Sequence, residues 1–266
     1  MNPTRIVSSP FLHALSRTAA LSLLATLCGA LPTLATAPDS TTFAESHPLV
    51  TELPDLRDDA STSKLVISCD ATVASRYLFQ GTDLSDGKPV VQPEIVAEYG
   101  SVSATVWANH DLDRAETNEF DFLVEYGVEA GVNSFRTGYA HYRYPHRGWE
   151  PTQEILAGFT LGLPLSPDLS LHYDFDAGQG AYATLSLSQP LSDIFSVGFE
   201  AHHQSGYYGL TGVPSSALHL DGAFNAGSWT LSPSLGYSGA WENEDFRGEN
   251  KVDSTWIFSL NVAQTF

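Results

Sequence analysis

His203 and Ser205, in the stretch "HHQSGYYG" (202–209), have the types and spacing of a base and a nucleophile. A histidine that takes the hydroxyl proton of a serine turns a weak nucleophile into a strong one. On a strand, positions two apart point to the same side, so this pair would share a face. Asp174 and Asp176 in "YDFDAGQG" (173–180) offer oxygens of the kind calcium takes. They lack the twelve-residue loop and closing glutamate of a helix–loop–helix calcium site. "HDLDRAETNEFD" (110–121) reads as a solvated acidic loop or a weak divalent-cation loop, and "AHYRYPHRGW" (140–149) sets histidine beside arginine. No glycine-rich phosphate cradle is present. The chain has two cysteines, Cys28 in the leader described next and Cys69. One remaining thiol makes neither an internal disulfide nor a zinc cluster, so Cys69 reads as a small apolar residue. No cofactor and no resident metal are expected. What any of these groups could do depends on the elements that carry them.

The first 37 residues read as a secretory leader. "MNPTRIVSSPFLHALSR" carries Arg5 and Arg17 and no acid, "TAALSLLATLCGALPTLA" is apolar, and small residues follow at Ala35 and Ala37. That is the layout of a signal peptide cleaved after Ala35 or Ala37. The apolar run is short for a membrane span, and Leu27 before Cys28 is wrong for a lipoprotein anchor. Residues 38–64 are rich in Pro, Asp, Glu, Ser and Thr and read as a disordered acidic arm on the periplasmic side. The whole chain has 12 lysine plus arginine against 31 aspartate plus glutamate, and the leader holds two of the basic residues and no acid. Such a field repels phosphate backbones, which excludes a nucleic-acid partner.

From Leu65 to Phe266 the pattern is alternation. In "EFDFLVEYGVEA" (119–130) Phe120, Phe122, Val124, Tyr126 and Val128 alternate with Asp121, Leu123, Glu125, Gly127 and Glu129. Period two over many short runs means half-buried strands. About twelve such runs can be counted, the first over 65–80, the seventh over 168–177 and the last over 253–265. The connections mostly alternate between tight turns, such as "AGVN" at 130–133, and longer loops, such as 81–89 and 205–216. The expected fold is all-β: a transmembrane antiparallel up-and-down β-barrel of about 12 strands over 65–266, of the outer-membrane kind. Closure also removes the edge strands that an open sheet would have to protect.

With the apolar phase turned outward to lipid, the inward set is acidic. It comprises Asp70, Arg76, Gln92, Glu94, Glu98, Glu125, Glu129, Arg136, Glu154, Asp174, Asp176, Glu200 and Asp221, with small residues such as Gly158 and Gly198 between them. Tyr77, Phe79, Tyr99, Tyr139, Trp229, Tyr237 and Trp256 fall where interfacial girdles belong. Two interiors fit this set: a narrow water-filled path that favours cations, or a closed hydrogen-bonded core knit around Arg76 and Arg136. The last strand places Trp256, Phe258, Leu260, Val262 and Phe266 on one face.

"ATVASRYLFQGTDLSDGKPVVQPEI" resembles the opening of the TorF family of porins, also called the Gcw_chp family. Tyr77, Phe79, Gly81, Ser85, Lys88, Pro89 and Gln92 match its aromatic strand, short polar loop and following "K-P-x-x-Q". "SVSATVWANHDLD" with "NEFDFLVEYG", and later "YDFDAGQGAYATLSLSQPL", resemble its next hairpins. The resemblance implies a porin of the bacterial outer membrane with no catalytic residues. The terminal strand is similar to the signal that the barrel-assembly machinery reads in such proteins. His203 and Ser205 faintly resemble the His-x-Ser-Asn-Gly motif of outer-membrane phospholipases, but no Asn follows Ser205. The leading expectation is therefore passive diffusion of small cationic or neutral solutes, not enzymatic turnover, with outer-membrane lipid and lipopolysaccharide around the wall. The alternatives are a non-conducting structural or lipid-interacting barrel, and an interfacial lipid hydrolase.

Overall fold

The computed structural model describes residues 64–241, 252 and 254–266. The leader, and all of the acidic arm but Lys64, lie outside the described residues. Sixteen strands follow in order: β1 (Val66–Ala74), β2 (Leu78–Phe79), β3 (Thr82–Asp83), β4 (Val90–Tyr99), β5 (Val102–Asp111), β6 (Glu116–Ala130), β7 (Asn133–Arg143), β8 (Thr152–Thr160), β9 (Asp168–Asp174), β10 (Gly180–Pro190), β11 (Phe195–Tyr207), β12 (Leu210–Gly212), β13 (Ser215–Gly222), β14 (Phe224–Ala226), β15 (Trp229–Ala240) and β16 (Thr255–Thr265).

Twelve of them make the wall. The ring runs β1, β4 to β11, β13, β15 and β16, and β16 pairs back onto β1 with Asp70 opposite Ala263. Every wall pair is antiparallel, and the β16–β1 pair closes the ring, so among the described residues no wall strand has a free edge. β12 and β14 extend the wall locally on β11 and β15, and β2 and β3 pair only with each other.

Alternation explains both faces. On β6, Phe120, Phe122, Val124 and Tyr126 are exposed while Leu123 and Glu125 between them are buried. Phe159, Leu171, Tyr173, Leu185, Leu218, Leu235, Trp256 and Phe258 continue the exposed apolar surface around the ring. A soluble protein does not expose a contiguous apolar belt of this kind; lipid does not penalise it. Tight turns gather at one end of the barrel, where Gly100, Gly131 and Gly227 adopt positive φ, as two-residue hairpin turns require. The longer connections gather at the other end.

Two strands are shorter than their alternation suggests. The first wall strand stops at Ala74, not at residue 80, and β9 stops at Asp174. Tyr77 and Phe79 therefore take no part in a girdle. The chain has already left the wall, and its alternation from there on is that of a separate hairpin.

Candidate functional site

Residues 75–89 form that hairpin, and it turns into the barrel. Gln80 (φ 50°) and Gly81 (φ 84°) make its tip, joining the pairs Leu78–Asp83 and Phe79–Thr82. Gly81 is required there: a Cβ would lie 2.5 Å from the Ser215 side chain, at a backbone angle that disfavours any other residue. Asp83 ties the base together. Its Oδ1 accepts from the Ser85 amide (2.9 Å) and hydroxyl (3.1 Å), and its Oδ2 accepts from the Gly87 amide (2.9 Å) and from Arg76 (3.2 Å). The Ser85 hydroxyl in turn accepts from the Tyr77 amide at 2.9 Å.

The tip docks across the lumen. Phe79 meets Tyr182 edge-on at 5.6 Å between ring centres and Tyr207 at 6.2 Å. Gln204 Nε2 donates to Gln80 Oε1 at 2.7 Å. These partners sit on β10 and β11, on the far side of the ring from β1. At the rim, Arg147 donates to the Leu84 carbonyl at 2.6 Å, and Arg114 bridges Asp86 and Asp111. In the same rim, burial and then the charge of Glu119 push the Tyr144 hydroxyl above its ordinary range. Arg76 thus braces its own hairpin rather than pairing with Glu94.

One side of the lumen is filled. Glu154 on β8 is 1% exposed. Its Oε2 accepts from the hydroxyls of Tyr142 (3.0 Å) and Tyr182 (2.9 Å) and lies 3.0 Å from His172 Nδ1, while the Tyr207 hydroxyl reaches Oε1 at 3.4 Å. His172 stacks flat on Tyr182, with ring centres 4.4 Å apart. Leu123, Ala140 and Leu156 form a buried apolar patch on the same side. Arg136 forks onto Asp168 at 2.9 and 3.0 Å, with Glu125 at 3.9 Å from its Nε. Gly158 makes room for that fork, because a Cβ there would lie 2.4 Å from the guanidinium. Asp174 accepts from Thr152 (2.6 Å) and from the Asp176 amide (2.9 Å).

The other side holds a cavity of about 160 Å³ between the hairpin and β1, β4, β5, β11, β13, β15 and β16. Asp70, Gln92, Trp107, Glu200, His202, His219, Asp221 and Asn261 line it, with Arg76 and Tyr77 from the hairpin. Asn261 donates to Asp70 (2.8 Å) and Thr72 (3.0 Å). His219 lies 2.5 Å from Asp221, and His202 lies 4.0 Å from Glu200. Gly198 lies flat beneath His219, whose ring would be 2.0 Å from a Cβ.

The sequence-derived set thus separates into groups. Asp70, Arg76, Gln92, Glu200 and Asp221 border the cavity. Glu94, Glu125, Arg136, Glu154 and Asp174 are buried, and Glu98 and Glu129 are half-buried in the same phase. Asp176 does not line the lumen: β9 has ended, and it is exposed, accepting from Gln153 at 3.0 Å. Asp111, in the acidic loop, closes on its own loop amides at 2.9 and 3.0 Å and on Arg114. His203 and Ser205 are both exposed, in the phase opposite to the buried Gln204. The inward tyrosines Tyr142, Tyr182 and Tyr207 were missed. Their signal was present, since Tyr182 shares its phase with Thr184, Ser186 and Ser188 in "AYATLSLSQ".

No family model matches the chain, and no curated protein matches it. Solved structures do. The KdgM porin superposes with a TM-score of 0.51 at 10% identity, over 75% of this chain and 99% of that one. The NanC porin superposes with a TM-score of 0.51 at 8% identity, over 74% of this chain and 98% of that one. The chain has the fold of these porins. Identity this low carries the fold alone, and the resemblance to the TorF family rests on the residues quoted for it.

Proposed function

We propose that the protein is a narrow outer-membrane channel, exported by the leader 1–37, through which small cationic or neutral solutes diffuse. The porin fold, the exposed apolar belt and the TorF-like first hairpin support this reading. The observation that carries it is the polar cavity beside the inward hairpin. Three carboxylates (Asp70, Glu200 and Asp221) line it, against one guanidinium, Arg76, which is already paired with Asp83. Carboxylates in a narrow water-filled path favour cations and disfavour anions.

The test is conductance of the purified protein in a planar bilayer, with the reversal potential read under a potassium chloride gradient. The expected result is small, steady conductance with a potential of the sign that marks potassium preference. Chloride preference would overturn the reading. The filled side of the lumen favours a second reading, a barrel that braces or contacts lipid without conducting. Correctly folded protein that passes no current would select it.

A further inference from the structure

The cavity also has the features of a ligand site, and this inference rests on the channel reading above. We propose that it is a subsite for a small organic ammonium ion, held between the Tyr77–Trp107 aromatic wall and the carboxylates of Asp70 and Glu94. Tyr77 and Trp107 both line the cavity, with ring centres 5.7 Å apart and planes tilted by 57°. Aromatic faces attract cations that carry weakly hydrated alkyl groups, and two faces set at an angle make half a cage.

The carboxylates stand beside that wall. Cross-strand register puts Asp70 opposite Glu94 and Glu94 opposite Trp107, so Glu94 sits between two cavity-lining residues. Glu94 is only 6% exposed, and among the described residues no donor other than the Asp70 carboxyl is given to its Oε1. A buried carboxylate oxygen with no other donor leaves a cost that a cation would relieve. Asp70 and Glu94 are also close enough to hydrogen-bond each other. A proton shared between two abutting carboxyls leaves the pair with a single negative charge, which an ammonium ion beside it would offset. Arg76, which borders the same cavity, is paired with Asp83.

Size and ligand type narrow the class. A volume of about 160 Å³ matches cavities that hold one benzene-sized molecule. Among the described residues, no group of three or more histidine, cysteine or acidic side chains is placed to hold a metal ion. A neutral polyol would leave the charge of the Asp70–Glu94 pair uncompensated. A methylated or aryl ammonium satisfies the carboxylates and the rings together.

Isothermal titration of the folded protein in detergent micelles tests this, with choline against its uncharged isostere 3,3-dimethylbutan-1-ol. Choline is expected to bind about 10-fold or more tightly than the isostere. Asp70→Asn and Trp107→Leu should each weaken choline about 5- to 10-fold, and Trp107→Phe, which keeps a ring, by no more than about 3-fold. Equal binding of the two probes, no choline binding, or unchanged affinity in Trp107→Leu and Asp70→Asn would overturn the subsite. The channel reading fails separately: choline binding without bilayer current removes the channel and leaves the subsite, while current without choline binding does the reverse.

Discussion

The two sides of the lumen are built by the same wall and differ in what they contain. From β6 to β10 the inward positions carry bulk: Glu125, Glu154, Leu156, His172 and Tyr182 are buried there, Tyr142 is half-buried, and Glu154 meets Tyr142, His172 and Tyr182. From β11 round to β16 they carry Gly198, Ala217, Ser234, Gly236, Ser238 and Ser259, and there the cavity lies. Twelve strands lie between a barrel filled by side chains and one that keeps a channel. At this size, inward side-chain volume decides locally whether the lumen is solid or open. The first hairpin sharpens the division, because Phe79 packs against Tyr182 and Tyr207 while Arg76, Gln80 and Gly81 border the cavity.

The largest effect that would break this contrast is expected at the centre of the filled side. Glu154→Ala leaves three tyrosine hydroxyls and His172 without their common acceptor. Stability should fall by about 3 to 5 kcal/mol, as when one partner of a buried charged network is removed. The urea midpoint of the barrel in micelles measures this, and Glu154→Gln, which keeps an acceptor, should lose about half as much. A loss under about 1 kcal/mol would mean that the network is incidental to filling.

Next comes the hairpin. Phe79→Ala removes a half-buried ring from between Tyr182 and Tyr207, at a cost of about 2 kcal/mol. Bilayer conductance should rise as the tip undocks. A more conducting state that never appears would show that the hairpin does not limit the bore.

The smallest effect comes from one change made on both sides. At Gly158 a Cβ meets the Arg136 guanidinium at 2.4 Å, whereas at Gly236 its nearest neighbour is 3.6 Å away. Gly158→Ala should cost about 1 to 3 kcal/mol, and Gly236→Ala less than about 0.5 kcal/mol. Equal costs would erase the difference between the two sides.

Much of this was legible in the order of residues. Period-two alternation marked the wall strands, and the same alternation separated Asp70, Gln92 and Glu154 from the apolar phase. Asp176 went astray because its phase is right but the strand beneath it ends two residues earlier. Tyr77 and Phe79 misled for the same reason: "RYLFQG" alternates well enough to read as the top of a strand. Nothing local marks Gln80–Gly81 as a tip aimed inward, since the hydrogen bond from Gln204 comes from 124 residues away.

Strand number, the inward phase and the acidic balance were determined by the sequence itself, because a strand's two faces follow from neighbours two residues apart. Only the closed barrel decided which way the first hairpin folds and which acids acquire partners. The four groups that meet Glu154 stand on β7, β9, β10 and β11, and ring closure is what brings those strands around one glutamate. Position in the ring, not phase along a strand, made one half of the interior solid and left the other half a cavity.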